Sequence, residues 1–103
     1  LSKAEQMAFK AYEQDPVNPN VLDTYAWILF LQKRYEDARI YIDEALRCDS
    51  VPSSVVLQHA GDIYSKIGNM EKAMDYWQQA FALDSGDALL EKKIKLGKYI
   101  ENE

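Results

Sequence analysis

The sequence is poor in the residues that most redox, metal and catalytic sites require. Its 103 residues include one cysteine, Cys48, and one histidine, His59. A single cysteine excludes an internal disulfide and a zinc site built from several thiolates. A histidine without a second histidine or a cysteine partner provides neither a typical metal site nor a nucleophile–base pair. We therefore predict no cofactor, no metal and no enzymatic activity, and we interpret His59 as a surface or groove-lining helix residue.

Long apolar runs and an excess of positive charge are also missing. The longest apolar stretch is Ala26–Leu31, far shorter than the ~20 residues that a transmembrane helix needs. The net charge is −5 and the isoelectric point is about 4.8. Since basic surface supplies most of the affinity for nucleic acids, we expect neither a membrane span nor a nucleic-acid partner.

The opening residues, LSKAEQMAFKAYEQDP, lack an initiator methionine and have the pattern of a helix already under way. We interpret the chain as a piece of a longer protein. Its compartment does not follow from the sequence.

Helical periodicity dominates what is present. Apolar residues recur at steps of three and four, as at Leu22, Tyr25, Ala26 and Leu29, whereas the strict alternation typical of strands is absent. Short loops between helices of similar length favour antiparallel neighbours. Prolines and glycines separate the predicted helices, which cover residues 2–14, 19–32, 36–48, 54–66, 70–83 and 87–100.

These helical segments repeat along the chain. Ala4, Ala38 and Ala73 are separated by 34 and 35 residues, and an alanine seven positions later in each segment repeats both intervals. The first helix of each full repeat has a large residue, a large–small pair and a second large residue, at Leu22, Tyr25–Ala26 and Leu29, and at Leu57, Ala60–Gly61 and Tyr64. The second helix has a small, a bulky and a small residue, at Ala38, Ile42 and Ala45, and at Ala73, Trp77 and Ala80.

This pattern resembles the tetratricopeptide repeat (TPR) family, whose helix–turn–helix unit has a period of about 34 residues. The resemblance implies an all-α fold, a right-handed α-solenoid of antiparallel helix pairs with about six helices. Small residues allow close approach of two helix axes, and stacked copies cover the apolar faces that one pair leaves open. The repeats are most similar to the C-terminal repeats of bacterial multi-repeat proteins.

The resemblance divides the chain into four segments. Residues 1–16 match the second helix of a truncated repeat, residues 17–50 and 51–86 match two full repeats, and residues 87–103 match a C-terminal capping helix. We expect the second repeat to carry one extra residue, within SVPSS. In the last segment, LGKYI supplies the large–small–large step through Leu96, Gly97 and Ile100.

In this family the first helices of successive repeats line a concave groove that holds an extended peptide or a partner helix. The resemblance therefore implies a protein or peptide partner. The groove positions carried over to this chain are Asn20, Asp23, Trp27, Phe30, Leu31, Val55, Gln58, His59, Asp62, Ser65, Lys66, Leu89, Lys92 and Lys93.

Trp27 and Phe30 are the strongest candidates for binding anchors, because the core pattern does not require them and large aromatic side chains dominate many interfaces. The alternative is that a preceding repeat or the chain's own first helix covers them. One specificity of the family, the grip on the C-terminal carboxylate of chaperone tails, is not expected. Of its matching positions here, only Lys93 is compatible, and Asp23 would repel the carboxylate.

Two functions remain open. The first is a protein–protein interaction module; the second is a structural role, in which these terminal repeats end a longer array and binding occurs elsewhere. A remote third alternative is that the chain is part of an enzyme. We also expect the chain to form a homodimer through its N-terminal helix. Without the first helix of its repeat, a stripe of apolar residues on this helix would be exposed, namely Ala4, Met7, Ala8 and Ala11.

Overall fold

The computed structural model describes residues 2–100, and all regular structure within this range is helical. The helices are α1 (Ser2–Gln14), α2 (Pro19–Leu31), α3 (Tyr35–Cys48), α4 (Ser54–Lys66), α5 (Met70–Leu83) and α6 (Ala88–Leu96). The chain divides between Pro52 and Ser53 into two compact units, α1–α3 (unit 1) and α4–α6 (unit 2). The predicted all-α class with six helices is confirmed for the described part of the chain.

Polar side chains precede most of these helices and accept hydrogen bonds from backbone N–H groups of the first turn, which have no partner within the helix. The Asn18 side chain accepts from the N–H of Asn20 at 2.9 Å, and Pro19 occupies the first turn of α2, where no N–H is needed. Equivalent caps precede the helices of unit 2, at Ser53, Asn69 and Asp87. Helix α3 follows Arg34, whose side chain makes no capping hydrogen bond.

Residues in left-handed backbone conformation follow three of the helices. Lys33 (φ 64°) follows the end of α2, Gly68 (φ 89°) follows α4, and Gly97 (φ 66°) ends α6. The prediction that the last helix continues to residue 100 is therefore wrong. Gly97 ends the helix, and its N–H donates to the carbonyl of Lys93. It is therefore not a small residue in the interior of a longer helix.

In unit 1, α2 packs against both α1 and α3. Small residues of α3 lie where it meets α2, and each is fully buried, as the repeat pattern predicts. Aromatic rings fill the space beside them, with Tyr25 and Tyr41 in edge contact at 4.6 Å and Tyr12 against Tyr41 at 5.3 Å. The core of unit 1 comprises Ala8, Leu22, Tyr25, Ala26, Leu29, Phe30, Ala38, Ile42 and Ala45.

In unit 2, α5 packs against both α4 and α6. Trp77 is the largest fully buried side chain of the unit, and it lies against Gly61 of α4. The apolar core of unit 2 comprises Val56, Leu57, Ala60, Ile63, Tyr64, Ala73, Trp77, Ala80 and Leu90. Asp62 and Lys93 are buried with it.

Candidate functional site

The predicted groove residues of unit 1 follow one face of α2. Asn20 is exposed near the start of the helix, Asp23 and Trp27 are half-buried, and Leu31 is exposed at its end. Spacings of three and four residues place these side chains in one row, on the side opposite the buried Leu22. We call this row the α2 face.

Phe30 does not belong to the accessible part of that face. Its side chain is 4% exposed, and its ring lies 5.3 Å from the ring of Tyr35 on α3. The Trp27 ring stacks on Phe30 with centroids 4.5 Å apart and planes 11° from parallel. The placement of Phe30 on an open groove is therefore wrong: Phe30 is the buried support on which the half-buried Trp27 rests.

The predicted groove residues of unit 2 lie mainly on α4. Val55 and Lys66 are exposed at the two ends of the helix, whereas Gln58 and His59 are half-buried. On α6, Lys92 is exposed and Lys93 is not. We call the row of Val55, Gln58, His59, Asp62 and Lys66 the α4 face.

Asp62 and Lys93 form a buried ion pair, each residue being 2% exposed. The Lys93 ammonium lies 2.9 Å and 3.2 Å from the two carboxylate oxygens of Asp62. The indole N–H of Trp77 donates to the same carboxylate at 3.0 Å. One carboxylate on α4 therefore binds a group from α5 and a group from α6. The prediction that Asp62 and Lys93 present their charges in an open groove is wrong.

Burial raises the pKa of the Asp62 carboxyl, while attraction to the Lys93 ammonium and the hydrogen bonds from Lys93 and Trp77 oppose that rise. Such a site is costly to form unless each charge is paired and hydrogen-bonded. Both conditions hold here, since no buried side-chain polar atom within residues 2–100 lacks a hydrogen-bond partner.

Two further residues, Gln58 and Tyr99, extend this network toward the two ends of α6. Gln58 accepts from the Lys93 ammonium at 3.0 Å and donates to the carboxylate of Asp87 at 3.2 Å. The Tyr99 ring lies 5.1 Å from the Lys93 ammonium and 5.2 Å from that of Lys66, both within cation–π range. Sequence reasoning missed this network. Its one signal is that Lys93 interrupts the apolar row of Leu90 and Ile94.

The N-terminal helix differs from its prediction. Ala8 is buried and Ala11 half-buried, and both border a shallow cavity of about 210 Å³ shared with Asn20, Val21 and Thr24 of α2. The expected continuous apolar stripe on α1 is therefore not exposed as such. Exposed apolar surface is centred on Met7, which is 66% exposed, and on the edge of Phe9.

A cluster of polar side chains, which we call the polar corner, connects α1 to the turn after α2; it consists of Glu5, Gln32, Arg34 and Asp37. Glu5 accepts from the side chain of Gln32 at 3.1 Å and from the guanidinium of Arg34 at 2.8 Å. These two hydrogen bonds lower the pKa of Glu5. Arg34 also pairs with Asp37 at 3.2 Å. Because these groups are partly exposed, we expect the corner to orient α1 more than to stabilise it.

No group of three or more His, Cys, Asp or Glu side chains within residues 2–100 is arranged to hold a metal ion. In the same range, no helix combines the length and the apolar character needed to cross a bilayer.

The fold and these surfaces define a class: an α-helical repeat protein in which small residues lie at the helix contacts and the predicted groove residues form one row on α2 and one on α4. Residues 55–87 match the family model for the tetratricopeptide repeat. Tetratricopeptide repeat protein 1 of Schizosaccharomyces pombe is 32% identical over 101 residues, which cover 95% of this chain and 9% of that protein. The chain therefore contains a tetratricopeptide repeat at residues 55–87, and nearly all of it is similar to a tetratricopeptide repeat protein.

Two solved structures share the fold. The first TPR of Spaghetti (RPAP3), bound to the HSP90 peptide SRMEEVD, superposes with a TM-score of 0.85 at 16% identity, covering 93% of this chain and 75% of that chain. Naa15/Naa10 bound to HypK-THB gives a TM-score of 0.74 at 20% identity, covering 90% of this chain and 14% of that chain. The fission-yeast relative gives no support to the predicted bacterial origin.

Proposed function

We propose that this chain is a protein–protein interaction module, and that the α2 face of unit 1 and the α4 face of unit 2 are each a binding surface for a peptide or protein partner. TPR domains serve as protein–protein interaction modules, and both structural neighbours were solved with a protein or peptide bound. The chain spans only 9% of its fission-yeast relative, so the role of the whole protein is part of the proposal. The role is non-catalytic, and the partner is not a nucleic acid.

The Trp27–Phe30 stack is the observation that carries this proposal. The Trp27 side chain is only partly buried, and its ring lies nearly parallel to the buried Phe30 ring, with the two centroids 4.5 Å apart. A large aromatic side chain that is already ordered loses little conformational freedom on binding, which is the property of an interface anchor. Asn20 and Asp23, in the same row, supply polar groups beside it.

The acidic HSP90 peptide bound by the RPAP3 domain is not proposed as a ligand here. Asp23 places a negative charge on the α2 face, where it opposes an incoming carboxylate. Lys93, the one compatible residue, is buried and already bound to Asp62 and Gln58. We therefore propose a partner segment without an acidic C-terminus.

The structural alternative, terminal repeats that only end a longer array, has one observation in its favour. Phe30 and Lys93, two of the candidate binding residues, are occupied by contacts within the chain itself. On that alternative, the α2 face has no ligand.

Selection of peptides from a displayed library against the full chain tests the proposal. We expect Trp27→Ala to weaken the selected peptides about tenfold or more, equivalent to roughly 1.4 kcal/mol. Ile40→Ala, which alters an exposed apolar residue of α3 in the same unit, is the matched control and should leave affinity unchanged. Selected peptides that bind the Trp27→Ala chain as tightly as the wild type would overturn the assignment of the α2 face. A selection that enriches no peptide would favour the structural alternative.

A further inference from the structure

Helix α6 is attached to unit 2 by very few buried side chains. Within Ala88–Leu96 only Leu90, which is fully buried, and Lys93 are classed as buried. The helix therefore contributes one buried apolar side chain and one buried cation, three residues apart on the same face.

The site that receives this cation is built from α4 and α5. Asp62 of α4 holds the ammonium of Lys93 with both carboxylate oxygens, and Gln58 of α4 accepts a third hydrogen bond. Trp77 of α5 orients the carboxylate by donating its indole N–H at 3.0 Å. Both the carboxylate and its orienting donor belong to α4 and α5, so the acceptor is complete without α6.

The balance of forces makes this attachment selective and weak. A buried ion pair contributes little net free energy, because the loss of hydration offsets most of the Coulomb attraction. It discriminates strongly, however, since a helix without a cation at this position leaves the Asp62 carboxylate unpaired. With Leu90 as the only buried apolar residue of α6, opening this helix costs far less than unfolding the unit.

We propose that α4 and α5 form a helix-acceptor site for a partner protein's amphipathic helix that carries a leucine three residues before a lysine, and that α6 is its displaceable occupant within the chain. The carboxylate of Asp62, buried under a cation in this structure, supplies the charge complementarity. This inference deepens the proposed function and rests on it, because Gln58 and Asp62 belong to the α4 face. It names the partner chemistry that this face selects.

A labelled synthetic peptide spanning residues 85–100, added to the full chain, provides the test. We expect saturable binding by fluorescence anisotropy, together with faster hydrogen exchange of the chain's own α6 amides as the peptide replaces them. The same peptide carrying Lys93→Glu should bind at least tenfold more weakly. Against a chain carrying Asp62→Asn, which keeps an oxygen for the Trp77 N–H, the preference for the wild-type peptide over the Lys93→Glu peptide should fall at least tenfold.

Several results would overturn the proposal. These are absence of binding at millimolar peptide, equal affinity of the Lys93→Glu peptide, and binding that leaves exchange of α6 unchanged. The Lys93→Glu peptide keeps the test decisive even if the Asp62→Asn chain is unstable, because that substitution does not alter the folded chain. A wild-type chain that sediments as a dimer dissociated by the peptide would assign the site to α6 of a second copy instead.

Failure here and failure of the proposed function are distinguishable. Binding of the 85–100 peptide should be insensitive to Trp27→Ala, because Trp27 takes no part in the hydrogen bonds that hold Lys93. Loss of library-peptide binding in the Trp27→Ala chain, with no binding of the 85–100 peptide to any chain, would sustain the α2 face and remove only the helix-acceptor site.

Discussion

Gly61→Ala tests the helix contact at the centre of unit 2. A Cβ atom added to Gly61 would lie 2.3 Å from Cδ1 and 2.4 Å from Nε1 of Trp77. Trp77 is fully buried and its Nε1 is bonded to Asp62 at 3.0 Å, so the ring cannot move away without breaking that bond. The missing side chain of Gly61 is what permits α4 and α5 to approach this closely.

Two effects of opposite sign set the size of the change. Alanine in a helix interior is favoured over glycine by about 1 kcal/mol. Overpacking a core costs about 1–3 kcal/mol, and loss of a hydrogen bond to a charged group costs about 1.5–3 kcal/mol more. We therefore expect Gly61→Ala to lower the free energy of unfolding by about 1.5–5 kcal/mol.

Chemical denaturation followed by tryptophan fluorescence measures this difference as a lower midpoint at an unchanged slope. Gly86→Ala is the matched control. Its added Cβ would approach nothing closer than 3.8 Å, so stability should change by no more than about 0.5 kcal/mol. If Gly61→Ala is as stable as the wild type while Gly86→Ala behaves as expected, the described contact between α4 and α5 is wrong.

Three further changes test other parts of the chain. Lys33→Gly relieves the left-handed conformation after α2 and should raise the free energy of unfolding by about 0.5–1 kcal/mol in denaturation; a loss of stability would contradict that conformation. In single-tryptophan chains, half-buried Trp27 should emit further to the red and be quenched by acrylamide more readily than buried Trp77; equal protection would remove Trp27 as an anchor. If the chain dimerises through α1, sedimentation equilibrium should show that Met7→Glu yields a monomer and that Lys95→Glu does not; a wild-type chain that stays monomeric at high concentration would end that prediction.

The helices and their core residues were predictable because they depend on local chemistry. Asn18 and Pro19 mark the start of α2, and the structure begins that helix at Pro19. The repeat spacing predicted Ala38 and Ala45 of α3 and Ala73 and Ala80 of α5 as contact residues, and these four are fully buried. Capping, periodicity and small-residue spacing each act within a few residues or one helix contact, so the linear sequence records them directly.

The candidate surface was less predictable, because exposure depends on neighbours distant in sequence. Phe30 lies at a groove position, yet Tyr35 of α3 and the stacked Trp27 cover it. Asp62 and Lys93 were placed on an open face, yet each buries the other across 31 residues of chain. From the sequence alone, a charged side chain on a helix is predicted to be exposed, because the helix that buries it is not known.

By itself, the sequence determined the class, the six helices, and the alternation of small and large residues that makes them pack in pairs. Only the tertiary structure decided which polar residues are surface and which are core. It buried the carboxylate of Asp62 and oriented it with the Trp77 indole, and it ended α6 at Gly97. The physical reason is that helix formation and capping are local, whereas desolvation of a charge is set by atoms that three separate helices bring to one point.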